Sequence, residues 1–471
     1  MDSLLDQSAL DQSKALEQKE VSAVELMHAT LARIDSENPR VNAIISRVDE
    51  DQLLKLAHKA DATPRASWMH GLPMAVKDLA NVAGLATTMG SPIMAGQIAA
   101  KDDLFVSRVR AAGAIFIGKT NTPEFGLGSH TFNPVFGATG NAYDPNLSAG
   151  GSSGGAAVAL ACRMVAIADG SDMMGSLRNP AGWNNVYGMR PSWGRVPDTA
   201  EGETFLHPLA TNGPMARCPC DLAALLEVQS GPEPHRPFTL PKTPFLQGIE
   251  ADMRGRRVAW LGDWGGAYPM EPGVLDTCEQ ALKSFEDLGV AVETIDAPFD
   301  AAQLWQSWLD LRAFANASRL APLYANPDWR RQLKATAIWE IQTGHNLTAD
   351  AVQSASLIRS QWYAKAATLF ERYDAILLPS AQVWPFPVGD EYPKTIAGRA
   401  MDTYHRWMEV VIPASLIGLP AISIPAGFGT NGLPMGLQVI GAHGDDLGLL
   451  QLAEAWHQAT KWPEKRLPSR A

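Results

Sequence analysis

Cysteine is scarce in this chain, with four residues among 471, at Cys162, Cys218, Cys220 and Cys278. So thin a set builds no disulfide framework and points to a reducing compartment, the cytoplasm. Cys218-Pro219-Cys220 is too tight for the usual zinc spacing, and the ten histidines include no pair four positions apart, so neither metal nor cofactor is expected. Positive charge is also short: 39 Lys and Arg face 50 Asp and Glu, a net of -11, which speaks against a nucleic-acid surface. The longest uncharged stretch, Val410 to Gly429, is broken by Pro413, Pro420 and Pro425. It reads as buried turn-strand-turn packing, and no membrane span is expected. The opening MDSLLDQSALDQSKALEQKE lacks a basic n-region and an apolar h-region, so no secretory leader is expected.

What the chain does have is apolar mass, 46% of its residues, enough for a large core. Short apolar runs at 114–117, 258–261, 291–294, 375–378, 421–424 and 436–440 read as buried strands. Helical patterns lie between them, notably Gly273 to Leu288 and Asp445 to Ala459. Near the N-terminus Ser22, with Glu25 three residues on, forms a capping box that opens a helix running through Ile34, and 48–61 reads as another helix. This alternation predicts an α/β protein with a large mixed central sheet sandwiched by helices. Low-complexity linkers and internal repeats are absent, and the Pro-rich 230–245 stretch reads as a surface connection. The expected organisation is therefore one domain over 1–471, with 1–65 an N-terminal helical arm.

Chemistry concentrates between Gly150 and Arg190. A glycine-serine cluster, Gly150-Gly151-Ser152-Ser153-Gly154-Gly155, precedes a second serine, Ser176, in a Gly-Ser-Leu-Arg setting. Glycine lets main chain approach a reacting group closely, and two serines with exposed amides are the parts of an acyl-transfer site. No histidine or carboxylate in the cluster itself can act as base. Upstream, Gly71-Leu72-Pro73-Met74-Ala75-Val76-Lys77-Asp78 puts Lys77 at the end of an apolar strand. A free lysine, with a pKa of about 10.4, is a poor base at neutrality, but burial disfavours its charged form. A lone strand-end lysine is ordinarily solvated or paired with its neighbour, here Asp78; coupled to the two serines, Lys77 becomes the candidate base. Gly113 to Thr120 also fits the G-x-x-x-x-G-K-[ST] pattern of a phosphate loop. Its four middle residues are apolar and strand-like, and no clear helix follows, so nucleotide binding is not expected.

The GLPMAVKD block, the glycine-serine cluster, the Asp172-to-Arg178 loop and the C-terminal GLPAISIPAGFG and GLPMGLQVIG blocks together resemble the amidase signature family, serine hydrolases with a Ser–cis-Ser–Lys triad. The resemblance implies Ser176 as acylated nucleophile, Ser152 as the cis-peptide serine and Lys77 as base. It implies an oxyanion hole of backbone amides at Met173, Met174, Gly175 and Ser176, supported by Ser153, Asp172 and Arg178. Where the family usually reads Asp-Thr-Gly-Gly-Ser-Ile-Arg, this chain reads Asp172-Met173-Met174-Gly175-Ser176-Leu177-Arg178, and Met174 would be strained if its position needs a positive φ. Trp183-Asn184-Asn185 replaces the more usual Phe-Cys-Gly.

Phe132, Tyr143, Met174 and Trp183 are the candidate pocket side chains. The aromatics of 126–144 read equally well as ordinary core. Region 300–370, with Trp305, Trp308, Trp329, Trp339 and Trp362, is expected to form a helical wall of the substrate site, although its tryptophan spacing also suits plain packing. The implied activity is hydrolysis of a small aryl or alkyl amide, anilide or carbamate, with esters as a side activity. The expected partner is that small molecule, and the reading leaves room for a homodimer. Two alternatives stay open: the ammonia-supplying subunit of a tRNA-dependent amidotransferase, and a catalytically silent binding relative.

Overall fold

Strands form where the apolar runs are, and their alternating side chains feed two different cores. A computed structural model describes residues 2–199 and 202–470 of the chain. Eleven strands make up two adjoining sheets: β1 (Ile44–Ile45), β2 (Pro73–Lys77), β3 (Ile115–Thr120), β4 (Ile167–Asp172), β5 (Tyr187–Arg190), β6 (Thr211–Ala216), β7 (Arg257–Trp260), β8 (Ala291–Thr294), β9 (Ala375–Pro379), β10 (Ala421–Phe428) and β11 (Pro434–Ile440). The larger sheet is mixed and eight-stranded, in the order β8-β7-β9-β11-β10-β5-β6-β4; the smaller runs β1-β3-β2. Met74, Val76, Phe116, Ile167 and Ala216 pack into one apolar cluster, while their strand neighbours Ala75, Ile115, Ile117, Ala168 and Met215 pack into another. Period-two alternation with both faces apolar is what a sheet covered on both sides requires.

The helices supply those covers. They include α1 (Ala23–Val41), α2 (Glu50–Ala62), α3 (Gly154–Ala161), α4 (Arg178–Trp183), α5 (Pro219–Gln229), α6 (Val274–Asp287), α7 (Ala301–Ala325), α8 (Ala335–His345), α9 (Ala349–Phe370), α10 (Ile412–Leu416) and α11 (Asp446–Thr460). The capping box of α1 forms as read: Ser22 accepts from the Glu25 amide and Glu25 accepts from the Ser22 amide. That helix continues to Val41, a further two turns beyond Ile34. α7, α8 and α9 make region 300–370 helical.

The large mixed central sheet flanked by helices is as expected, and one expectation needs adjusting. The 1–65 segment is not purely a helical arm, because β1 pairs antiparallel with β3, Ile44 opposite Thr120 and Ile45 opposite Lys119. The smaller sheet adjoins the larger one at a seam. Where the edge of β2 meets the edge of β4, the Lys77 amide donates to the Asp169 carboxylate, at 3.1 Å, in place of a carbonyl. This side-chain bridge joins the two sheets at their seam, where no main-chain ladder runs between β2 and β4, and Lys77 sits on the seam.

Gly113 ends a turn and 115–120 form strand β3, not a phosphate loop; Lys119 is fully buried with its amine against the Ala80 carbonyl. The Val410 to Gly429 stretch divides into a short helix, a turn and β10. Among the described residues no helix is long and apolar enough to cross a membrane.

Candidate active site

Lys77 reaches the seam because Met74-Ala75-Val76 is strand and buried, carrying the next residue inward. Its side chain is 2% exposed. The amine lies 2.8 Å from Ser152 Oγ, 2.8 Å from Ser153 Oγ and 3.1 Å from Ser171 Oγ. Burial pulls its pKa down to about 7, against the opposing pull of Asp169 and Asp172. Loss of hydration penalises the ammonium more than the neutral amine, and three hydroxyls replace only part of it.

The glycine-serine cluster runs into the start of α3, and the Gly151–Ser152 peptide is cis. Around it, Ser129 Oγ donates to the Gly151 carbonyl at 2.5 Å, and the Ser153 amide donates to the Ser176 carbonyl at 3.2 Å. The second bond ties the cluster directly to the Ser176 loop. Ser176 is 7% exposed, more open than Ser152 at 2%. The two hydroxyls share no hydrogen bond among the described residues.

The 173–177 loop leaves the end of β4 and enters α4, held by the Asp172 carboxylate. Asp172 accepts from the amides of Gly175 (2.8 Å) and Leu177 (3.1 Å), and from Arg178 at 3.0 and 3.1 Å. Arg178 also donates to Gln438, Ser415 and the Val411 carbonyl. Burial would raise the Asp172 carboxyl; Arg178 and Arg190 outweigh it and hold the group far below the usual carboxylate range.

This arrangement alters the expected oxyanion set. The Gly175 amide is committed to Asp172, whereas the amides of Met173, Met174 and Ser176 have no partner among the described residues. The left-handed position in the loop is Gly175, with φ of 79°, and a Cβ there would meet Val411 at 2.9 Å. Met174 has no positive φ, so the anticipated strain does not arise.

The four candidate pocket side chains scatter. Trp183 is fully buried, stacked on Trp407 and donating to the Val383 carbonyl, with no surface left for a ligand. Tyr143 turns to the C-terminal segment, donating to the Arg466 carbonyl at 2.7 Å and packing edge-on to Phe428. Phe132 is half-buried beside His130 in a small hairpin. Met174, next to Gly175, is buried at 3% exposure. Of the tryptophans, Trp305, Trp308 and Trp362 are core, while Trp329 and Trp339 are exposed.

Several site neighbours have no counterpart in the sequence reading. Val411 packs under Gly175, and a Cβ on Gly126 would lie 3.6 Å from Ser152 Oγ and 2.8 Å from Leu79. From α7, Arg312 sends Nη1 to within 3.3 Å of the Met173 sulfur while pairing with Glu340 at 2.7 Å and Tyr404 at 2.8 Å. Asp169 and Ser171 stand two apart on β4 and so share a face, but no pattern in the sequence shows that this face meets Lys77.

Known proteins share this architecture. The amidase family model matches residues 25–450. An acylamidase of Rhodococcus erythropolis is 31% identical, covering 98% of this chain and 96% of its own length. A glutamyl-tRNA(Gln) amidotransferase subunit from Myxococcus xanthus is 32% identical, covering 97% of each chain. The crystal structure of a bacterial aryl acylamidase superposes with a TM-score of 0.91 at 26% identity, over 98% of this chain and 99% of that one. With a match over nearly the whole length, a mixed sheet flanked by helices and a lysine buried against three serine hydroxyls, this chain belongs to the amidase signature family.

Proposed function

We propose that this protein is an amidase hydrolysing the C–N bond of a small carboxylic amide through an acyl-serine on Ser176. The observation that carries the reading is an amine buried to 2% exposure, 2.8 Å from the Ser152 hydroxyl and beside the loop bearing Ser176. Ser176 Oγ attacks the carbonyl carbon and passes its proton to Ser152, whose own proton goes to neutral Lys77. The separate Ser152 and Ser176 hydroxyls come into line when substrate fills the site, as catalytic hydrogen bonds commonly tighten on binding. The oxyanion takes the free amides of Met173, Met174 and Ser176. Lys77 and Ser152 return the proton to the departing amine, and water repeats the cycle to release the acid.

Leu79 lies against Gly126 beside the Ser152 hydroxyl, and Val411 lies against Gly175 next to Ser176. These apolar neighbours favour an aryl or bulky alkyl amide, anilide or carbamate, with esters as a side activity. The stand-alone reading is supported by the acylamidase and aryl acylamidase likenesses. The likeness to an amidotransferase component supports a second reading, in which the same triad frees ammonia for a partner. Co-purification of partner proteins with glutaminase activity would favour that second reading.

The test is a panel of para-nitroanilides, aryl acetamides and carbamates, with mass detection of acylated Ser176. Ser176→Ala and Lys77→Ala are expected to lower kcat by about 10⁴-fold or more, each nearly as severely as the other, because the residues act as a unit. Full activity in either variant would end the reading.

A further inference from the structure

Asp169 is a buried carboxylate at the seam whose role goes beyond the triad. It is 1% exposed, and it accepts the Lys77 amide through both oxygens, at 3.1 and 3.4 Å. Two residues along the same strand face, Ser171 brings its hydroxyl to the Lys77 amine. Asp169 thus grips the backbone of the base from the strand that also leads into the Ser176 loop.

The charges around Lys77 show why a carboxylate matters there. Asp172 is more than neutralised by Arg178, at 3.0 Å, and Arg190, at 3.5 Å. Lys119, from β3, faces Asp78 at 3.7 Å and also feels Asp169 and, less, Asp103. Ser152 and Ser153 bring hydroxyls, and Ser171 a hydroxyl and its carbonyl at 3.3 Å, none of them charged. Among the described residues Asp169 enters no direct ion pair; its charge acts across the seam on both Lys119 and Lys77. With Lys77 neutral, Asp78, Asp169 and Lys119 carry one net negative charge that balances the net positive charge of Asp172 with Arg178 and Arg190, so without Asp169 the surroundings of the amine would be net positive and would oppose proton uptake.

We propose that Asp169 is a positioning and charge-tuning residue for Lys77, its carboxylate stabilising the ammonium that forms when Lys77 takes the Ser152 proton. This rests on the amidase reading and deepens it. The balance is simple: one proton moves from Ser176 to Ser152, one from Ser152 to Lys77, and Asp169 gains none. Burial raises the Asp169 carboxyl to about 6 while the Lys77 amide and the Lys119 charge hold it down, so it is largely ionised at neutrality. Without it, the lysine would be a weaker base, easily kept neutral yet poor at accepting the proton.

The experiment follows the rate of Ser176 labelling by a fluorophosphonate across pH, read by intact mass, in the wild-type chain and in Asp169→Asn. Asparagine can still accept the Lys77 amide through its carbonyl oxygen but carries no charge. The midpoint of the acidic limb is expected to move down by about one pH unit, with a lower alkaline plateau. A merely structural Asp169 would lower the plateau and leave the midpoint in place, and that result overturns the proposal. Should Asp169→Asn fail to fold, Lys119→Gln removes the opposing cation and is expected to move the midpoint up; an unmoved midpoint there overturns it too. Wild-type protein that labels normally while the midpoint stays fixed sinks only this inference. Wild-type protein that takes no label at Ser176 sinks the amidase reading with it.

Discussion

Lys77 is the residue whose surroundings decide most. With its pKa drawn down to about 7, the amine is a usable base above neutrality and an idle ammonium below it. The folded value lies below the free value, so acid removes the active form first. kcat/KM is therefore expected to fall about tenfold per pH unit below pH 7, measured on any amide the panel identifies. The sequence carried much of this. An apolar strand ending in lysine, with a glycine-serine cluster downstream, contains base, relay and nucleophile as residue types. Legibility stopped at Asp169 and Ser171, because nothing local says which strand edge will face Lys77. The aromatic candidates misled for a related reason. Trp183 and Tyr143 are adjacent in sequence to site elements, but apolar burial and a hydrogen bond to Arg466 turn them elsewhere.

At the level of elements, the 173–177 loop is pinned from three directions: Asp172 behind, Val411 beneath and Arg312 above. Gly175→Ala adds a methyl where φ is 79° and Val411 is 2.9 Å away. The loop must shift, and kcat is expected to fall by about 10²-fold or more, with thermal unfolding little changed by comparison. Arg312 lies in α7, within the expected helical wall, yet much of its work is structural. Glu340 is buried, and Arg312 beside it, joined by a hydrogen bond from Tyr404, outweighs burial and holds its carboxyl down to about 2. Arg312→Met would strand that carboxylate, at a cost of about 3–5 kcal/mol visible as a lower urea midpoint. The existence of helices here followed from pattern; that one of them touches the Met173 sulfur did not, since 139 positions of chain separate the two.

The whole molecule carries a second pH dependence, separate from catalysis. Burial lowers His130 to about 4 and His405 to about 3, so both stay neutral inside the fold. The unfolded chain protonates them near pH 6.5, and between that value and the folded ones it binds more protons than the native state. The stability that these two neutral histidines contribute is therefore complete above pH 6.5 and is lost as pH falls toward 4. Urea midpoints of the wild type and of His130→Gln at successive pH values check this; a difference between them that stays constant from neutrality to pH 5 would contradict it.

The sequence by itself determined which chemical groups this protein owns and which strands and helices carry them, because period-two and period-3.6 apolar patterns and a cap such as Ser22 with Glu25 act over a few residues. It determined as well that Lys77 would be carried inward by its strand. Only the tertiary structure decided that β2 and β4 meet through a carboxylate, that the Gly175 amide is spent on Asp172, and that α7 reaches over the loop. Those outcomes depend on sheet order and long-range burial, where many small apolar contacts summed over the whole core set the position of each strand edge.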